Sequence, residues 1–481
     1  MTAMIRFGTG GWRAVIAEEF TFPNVRRVAK ALALQIKEDG SPHRPVIVGH
    51  DLRFLSGRFS RAFAEILVEE GIPVWFMEDP VPTPMLMYGV EQEGLDYGIM
   101  LTASHNPPEY NGIKVIVKDG RDAPLEVTER LERFLEQVPE VVTPTVDFFA
   151  AIEGGGIHYY SNKNAYIDSL LDQIDVAAIQ EMDMKILFNP MFGVAKDIMA
   201  MCLASLRCFV DIINNRRDTM FGLKMPSPER ESLQDMEVIM KERRYQLGLA
   251  TDGDSDRLAL YDEMGNYVGA NQILKLLFYY FKEYRKLPGG IVRNLTTTHV
   301  LDRMAEYYNE PCYEVPVGFK YISESMDAHD LLLGGESSGG LKIRGHVNGK
   351  DGILAALLVV EMLAKTGKTL AQLVEEIDRR FGVWDFHAVN LPFSPSQRDS
   401  LYQLLLRDQY VPAFGKELEQ VSYMDGVKYY FADGTWLSIR FSGTEPILRV
   451  FMEANRREEA LQLADTVLCD PKLQLARPRS D

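Results

Sequence analysis

Cysteine is scarce: Cys202, Cys208, Cys312 and Cys469 are the only four in 481 residues, and no two form a C-x-x-C pair. They make no disulfide framework and suit a reducing compartment, so a cytoplasmic protein is expected. The N-terminus lacks the apolar core of a signal peptide. Long hydrophobic runs are missing too. The most apolar stretch, 353–364, is too short to span a bilayer and is interrupted by Glu361, which predicts a core helix. Positive charge is in deficit, with 52 Lys and Arg against 69 Asp and Glu, a net charge of −17. Such a field repels nucleic acid and anionic membranes, and neither is expected as a partner. An anionic substrate would need a locally basic pocket.

Hydrophobic residues make up 46% and charged residues 25%, an ordinary globular balance. The length suits three or four domains, each with its own core. The chain is organised around Thr102-Ala103-Ser104-His105-Asn106-Pro107. An apolar run at 97–101 predicts a short buried strand leading into it. Asn106-Pro107-Pro108 then breaks the chain, since proline has no N–H and pushes the residue before it out of the helical region. Ser104 is therefore expected on an exposed turn at the mouth of a sheet, where function tends to be placed. Successive strand residues face opposite sides, so Ser104 beside His105 is not by itself a serine–base pair.

Strand and helix signals alternate from there. Helices are predicted at 24–38 and 57–70, with strands at 45–49, 73–77 and 112–117, which implies α/β layering. A glycine-rich polar stretch at 153–162 marks a plausible boundary. A second α/β unit has strands at 185–188 and 245–250, and a third has helices at 270–286, 352–365 and 369–380. A linker is expected around 382–390. The last hundred residues carry strands at 427–432, 436–441 and 447–453 and a helix from 456, an α+β pattern. The expected domains are 1–150, 151–262, 263–381 and 382–481.

Asp252-Gly253-Asp254-Ser255-Asp256-Arg257 carries the strongest local signal. Three carboxylates on alternate positions at a strand end can converge on one hard cation, Mg²⁺ or Ca²⁺. An EF-hand is excluded, because its sixth position is Arg257 instead of glycine and a strand precedes the loop. Arg440-Phe441-Ser442-Gly443-Thr444-Glu445-Pro446 offers a guanidinium, two hydroxyls and free backbone N–H groups, a plausible phosphate cradle. Glu336 and Ser338, in a glycine-rich loop, suit vicinal sugar hydroxyls. Lys114 and Lys320 are candidate cations.

Together these motifs resemble the α-D-phosphohexomutase family, in its order and spacing and over nearly the whole chain. Phe7-Gly-Thr-Gly-Gly-Trp-Arg13 and Val81-Pro-Thr-Pro84 are similar to further family landmarks. The resemblance implies three mixed α/β domains and a C-terminal α+β domain around a central cleft. It implies phosphoserine at Ser104, with Mg²⁺ held by that phosphate and by Asp252, Asp254 and Asp256. Phosphorylated Ser104 would donate to a hexose 1-phosphate, and the hexose 1,6-bisphosphate formed would turn over and return its other phosphoryl group. Arg257 would offset charge on the transferring group, and Arg13 matches the family's arginine near the phosphoserine; Lys114 matches the proposed general base, with His105 as its helper. Arg440, Ser442, Gly443 and Thr444 match the grip on the other phosphate. Glu336 and Ser338 match the sugar readers, with Lys320 nearby in sequence.

The sugar loop reads Gly-Glu-Ser-Ser-Gly-Gly. It differs from Gly-Glu-Met-Ser-Gly-His of dual phosphomannomutase/phosphoglucomutases and from Gly-Glu-Glu-Ser-Phe-Gly of many phosphoglucomutases, and it lacks the Gln of glucosamine-type members. Val317-Gly318-Phe319-Lys320 is closer to phosphoglucomutase-like members, so the preferred hexose is glucose, with mannose as the alternative. Two rivals remain. An aspartyl-phosphate hydrolase also places Asp-x-Asp after an apolar strand, but wants Thr or Val where Asp256 stands. A non-catalytic sugar-phosphate sensor could have lost Ser104 or an aspartate, and here none is lost.

Overall fold

The computed structural model describes residues 5–8, 10–442, 447–473 and 475. It divides into two compact units, Met1–Lys286 with Ser338–Leu373, and Leu287–Ser337 with Val374–Asp481.

In the first unit, Val46–His50 and Tyr97–Leu101 are buried at every position, as central parallel strands covered on both faces must be. Their sheet runs in the order Trp12–Val15, Tyr110–Val117, Tyr97–Leu101, Val46–His50, Val74–Phe76, Ile157–Tyr159. The last of these strands lies inside the glycine-rich stretch at 153–162. Helices Phe22–Glu38 and Ser56–Glu69 pack together over the sheet, burying Val25, Leu32, Phe59 and Phe63. The first begins at the cap Thr21, with proline in its opening turn where no N–H is required.

Tyr110–Val117 returns antiparallel to Tyr97–Leu101 and sets Lys114 opposite Met100. Its other neighbour, Trp12–Val15, sets Arg13 opposite Gly112. A Cβ on Gly112 would stand 2.6 Å from both Thr102 O and Trp12 O, so only glycine lets the Arg13 strand and the serine turn close on each other.

A second sheet in the same unit has Phe209–Ile212, Lys185–Asn189 and Leu247–Thr251 in parallel, then Leu258–Tyr261 and Tyr267–Val268 antiparallel. Leu247–Thr251 is wholly buried and feeds directly into the aspartate loop. Gly352–Thr366 is the expected core helix. It is capped by Asp351, which accepts from Ile353 N and Leu354 N at 2.9 and 3.0 Å. Its buried Glu361 pairs with Arg285. Among the described residues no helix is long and apolar enough to cross a membrane.

The second unit holds parallel strands Cys312–Val315, Ile291–Asn294 and Leu333–Gly335 with helices Val300–Tyr307 and Phe319–His329. It also holds an antiparallel sheet ordered Asp385–Pro392, Ile447–Ala454, Trp436–Phe441, Val427–Phe431, Leu418–Ser422, with helix Arg457–Leu468 packed on it. The expected linker around 382–390 is corrected here. From Asp385 onward it is an eight-residue strand paired along its length with Ile447–Ala454.

Candidate active site

Ser104 follows the carboxyl end of Tyr97–Leu101 with φ of +52°, a left-handed conformation rare for a residue with a Cβ. It is fully buried, not exposed as its turn position suggested. The aspartate loop closes over it, and Ser104 Oγ donates to Asp252 Oδ2 at 3.1 Å. His105 Nδ1 lies 3.4 Å from the same hydroxyl, so on this turn the two neighbours do meet. The far ring nitrogen, Nε2, faces Arg257 Nη2 at 3.4 Å. Arginine only donates, so Nε2 is the acceptor and Nδ1 carries the proton toward Ser104. Burial, then Arg257 and Arg13, push the His105 imidazolium well below its usual range, and the ring is neutral.

Asp252, Asp254 and Asp256 converge, with one oxygen from each within 4.8 Å of the others. Ser255 between them is left-handed at φ +69°. Asp252 Oδ1 accepts from Asp256 N at 2.9 Å and Arg257 N at 3.0 Å. Lys114 Nζ donates to Asp254 Oδ2 at 2.7 Å and to Asp256 Oδ2 at 2.9 Å, and Lys350 Nζ reaches Asp256 Oδ2 at 2.8 Å. Burial, then Asp256 and Asp254, raise the Asp252 carboxyl well above the carboxylate range. Burial also pushes Asp256 upward, but Lys114, Lys350 and Arg257 outweigh it and hold Asp256 well below that range. Burial lowers Lys114, yet Asp254 and Asp256 more than reverse this, so it is an ammonium in this arrangement.

Asp254 Oδ1 and Asp256 Oδ1 are buried without a hydrogen-bond partner. Crowded carboxylates with spare inward oxygens are a fitting donor set for a hard divalent cation. Arg13 Nη1 donates to Asn106 Oδ1 at 2.8 Å on the opposite flank.

Of the remaining candidates, Arg440 is the penultimate residue of the strand Trp436–Phe441 and pairs with Asp425 at 2.7 Å. Ser442 N donates to Ile447 O at 3.0 Å, while Gly443 and Thr444 lie outside the described residues. Buried Glu336 accepts from Asn294 Nδ2 and Gly318 N, each at 3.1 Å. Lys320, in the first turn of Phe319–His329, lies 4.9 Å over the Tyr321 ring. Ser338 is exposed. Ser104, His105, Lys114, Arg13, Arg257 and the three aspartates thus come together within the first unit. Lys320, Glu336, Arg440 and Ser442 belong to the second.

Three neighbours of the site went unread in the sequence. Lys350 stands beside the helix cap Asp351. Thr83, in Val81-Pro-Thr-Pro84, opens the helix Thr83–Gln92, where its Oγ1 donates to Asp254 Oδ2 at 2.8 Å and its N to Asp254 O at 3.0 Å. Arg53 follows the end of the central strand Val46–His50, a location that favours functional residues in α/β sheets.

Four family models match the chain in succession. They are phosphoglucomutase/phosphomannomutase alpha/beta/alpha domain I over residues 4–141, domain II over 164–265, domain III over 269–381, and the C-terminal domain over 406–468. A phosphoglucomutase/phosphomannomutase from Thermococcus kodakarensis is 28% identical over 457 residues, covering 94% of this chain and 95% of its own. A phosphoglucosamine/phosphogalactosamine mutase from Sulfurisphaera tokodaii is 27% identical over 465 residues, covering 95% and 97%. A crystal structure from Thermus thermophilus that bears the name phosphomannomutase superposes with a TM-score of 0.84 at 30% identity, covering 97% of this chain and 99% of that one. The chain belongs to the phosphoglucomutase/phosphomannomutase family and is a phosphohexomutase, an isomerase.

Proposed function

We propose that the protein moves a phosphoryl group between O1 and O6 of a hexose, glucose in the first instance and mannose as the alternative, with Ser104 as the carrier and a hexose 1,6-bisphosphate as the intermediate. The observation that carries this is the Ser104 hydroxyl, held left-handed and directed onto Asp252 in a triad of converging carboxylates. The successive domains 1–150, 151–262, 263–381 and 382–481 would supply the serine turn, the aspartate loop, the sugar loop and the phosphate loop.

Asp252, Asp254 and Asp256, with the phosphoryl group on Ser104, would hold Mg²⁺, which when bound offsets charge on the group in transfer. In the forward step the P–Oγ bond of phosphoserine breaks and a P–O bond to the free sugar hydroxyl forms. The seryl oxygen gains negative charge, and His105 Nδ1–H is placed to donate to it. Arg257, beside His105, supplies a fixed positive charge, with Arg13 across the turn. The proton of the attacking hydroxyl passes to Lys114 Nζ. That requires Lys114 to be neutral, which follows only when Asp254 and Asp256 no longer spend their charge on it. The bisphosphate then reverses end for end and returns its other phosphoryl group to Ser104 Oγ, and Lys114 gives the proton back. Arg440, Ser442, Gly443 and Thr444 would grip whichever phosphate is not reacting, with Lys320 as a further cation, while Glu336 and Ser338 read the sugar hydroxyls.

Peptide mass spectrometry of the purified protein should find phosphate on Ser104, and Ser104→Ala should lose nearly all turnover. Phosphate on Asp252 would mark a hydrolase instead, and binding of sugar phosphates without turnover would mark a sensor. Parallel assays on the 1-phosphates of glucose, mannose and glucosamine would decide the hexose, the last because relatives bear phosphoglucosamine mutase names.

A further inference from the structure

Arg53 is 1% exposed. Its guanidinium is spent on main-chain carbonyls of the serine turn. Nη2 donates to Ser104 O at 2.7 Å and Asn106 O at 2.5 Å, and Nη1 to Pro107 O at 2.8 Å and Tyr110 O at 3.0 Å. Nε faces Asp51 Oδ2 at 3.5 Å, and the Phe221 ring lies 5.1 Å from the guanidinium carbon.

Chemistry explains why a guanidinium is needed. Pro107 and Pro108 contribute no N–H, so the turn is rich in acceptors and poor in donors. Four carbonyl oxygens pointing into one buried space repel one another unless a cation lies among them. Only arginine offers a planar fork with enough N–H groups to address all four separately; lysine has three donors on one atom.

The contact also fixes the seryl backbone from both sides. Asp51 Oδ2 accepts from Thr102 Oγ1 at 2.6 Å, and Thr102 Oγ1 accepts from Ser104 N at 2.9 Å. Asp51 Oδ1 meanwhile holds Arg53 N at 2.9 Å and Ser56 Oγ at 2.7 Å. The amide before Ser104 is thus tied through Thr102 to Asp51, and the carbonyl after it to Arg53. With the Ser104 carbonyl drawn inward, the planar trans peptide turns the His105 N–H away from the guanidinium.

We propose that Arg53 is a positioning residue for phosphoryl transfer: by collecting the four carbonyls it keeps Ser104 in the left-handed conformation that aims its Oγ at the aspartate loop. This rests on the reading of Ser104 as the phosphoryl carrier.

Arg53→Lys keeps the charge and loses the fork. It should lower kcat about a hundredfold, the cost of a small misplacement of a reacting group, and leave KM within about twofold. Hydrogen exchange should quicken at the amides of 103–110 and stay unchanged in the strands of the same sheet. Arg53→Ala, assayed with millimolar methylguanidinium, should recover at least about tenfold in kcat, which a fold-level defect would not allow. Wild-type kcat in Arg53→Lys would overturn the proposal. So would exchange quickened across the whole domain in both variants, with no rescue by methylguanidinium. Phosphopeptide mapping of the wild type separates the two readings: no phosphate on Ser104 refutes the carrier role, whereas the exchange pattern still decides whether Arg53 sets the turn.

Discussion

Arg440 Nη2 lies 2.7 Å from Asp425 Oδ2, and the same carboxylate oxygen accepts the backbone N–H of Val317 at 3.0 Å. One acidic side chain thus links the strand Trp436–Phe441 to the turn that precedes Lys320. The contact is tight because Gly426, at φ +80°, brings the Asp425 turn against the Arg440 strand, where a Cβ would stand 2.3 Å from Ile439 O.

If Arg440 grips the non-reacting phosphate, that phosphate competes with Asp425 for the guanidinium. The pair is partly exposed, so it is worth about 1 kcal/mol. Asp425→Asn should therefore lower KM for the hexose phosphate about fivefold, whereas Arg440→Ala should raise it in both reaction directions. Neither should change Ser104 phosphorylation. Initial rates in both directions check this, and an unaltered KM in Arg440→Ala would end the assignment.

Thr83 braces Asp254, the aspartate that Lys114 and a cation would share. Thr83→Val keeps the shape and removes the hydrogen bond to Asp254 Oδ2. The affinity for Mg²⁺ should fall about tenfold, as is common when an outer partner of a ligand is lost. Asp254→Asn should fall further. Titration calorimetry with Mg²⁺, and activity restored by Mg²⁺ after EDTA, measure both. Full activity after exhaustive chelation would exclude the ion from the mechanism.

Lys428, in the second unit, provides a pH test. Its Nζ contacts Leu295 O, His299 Nε2 at 2.9 Å and Glu314 Oε2 at 2.7 Å, over the face of Trp436. Burial, then Arg293, lower it to about 7 despite the pull of Glu314. Between pH 7 and the usual lysine range the unfolded chain keeps a proton that the folded chain has released. Stability from this group therefore rises with pH across that window and is flat below it. In Lys428→Met that rise should vanish, so its Tm relative to wild type should decline steadily from pH 7 to pH 10. A difference independent of pH would show that Lys428 stays charged when folded.

Gly112→Ala should be costly. Both atoms its Cβ would meet are main-chain carbonyl oxygens, which cannot swing aside like a side chain. The loss should be about 1–3 kcal/mol, seen in thermal unfolding, with a fall in kcat because the Arg13 strand and the serine turn must part. A neutral effect would show that the two segments have slack.

What could be read from the sequence lay close together in the chain. The aspartate triad spans five residues just after an apolar strand, where a turn in the chain brings the three side chains together. The serine turn was marked by its prolines. Burial of Ser104 was not, because the aspartate loop that covers it is 148 residues away. Thr83 and Arg53 act across 171 and 51 residues, on a carboxylate and on a carbonyl, and nothing local announces such partners. The strand Asp385–Pro392 mixes polar and apolar residues, and only its partner Ile447–Ala454 fixes its register.

Apart from its Nε against Asp51, the Arg53 guanidinium addresses backbone oxygens, so the path of the serine turn is dictated from a distant position, with the prolines assisting. His105 and Asn106 are thereby released from shaping the loop. One faces the seryl hydroxyl and the other holds Arg13. Scaffold and reagent are separated, although they occupy the same few residues. An engineer could vary position 106 to retune the electrostatics around Ser104 without redrawing the turn, whereas a change at position 53 would redraw it without touching a single reactive atom.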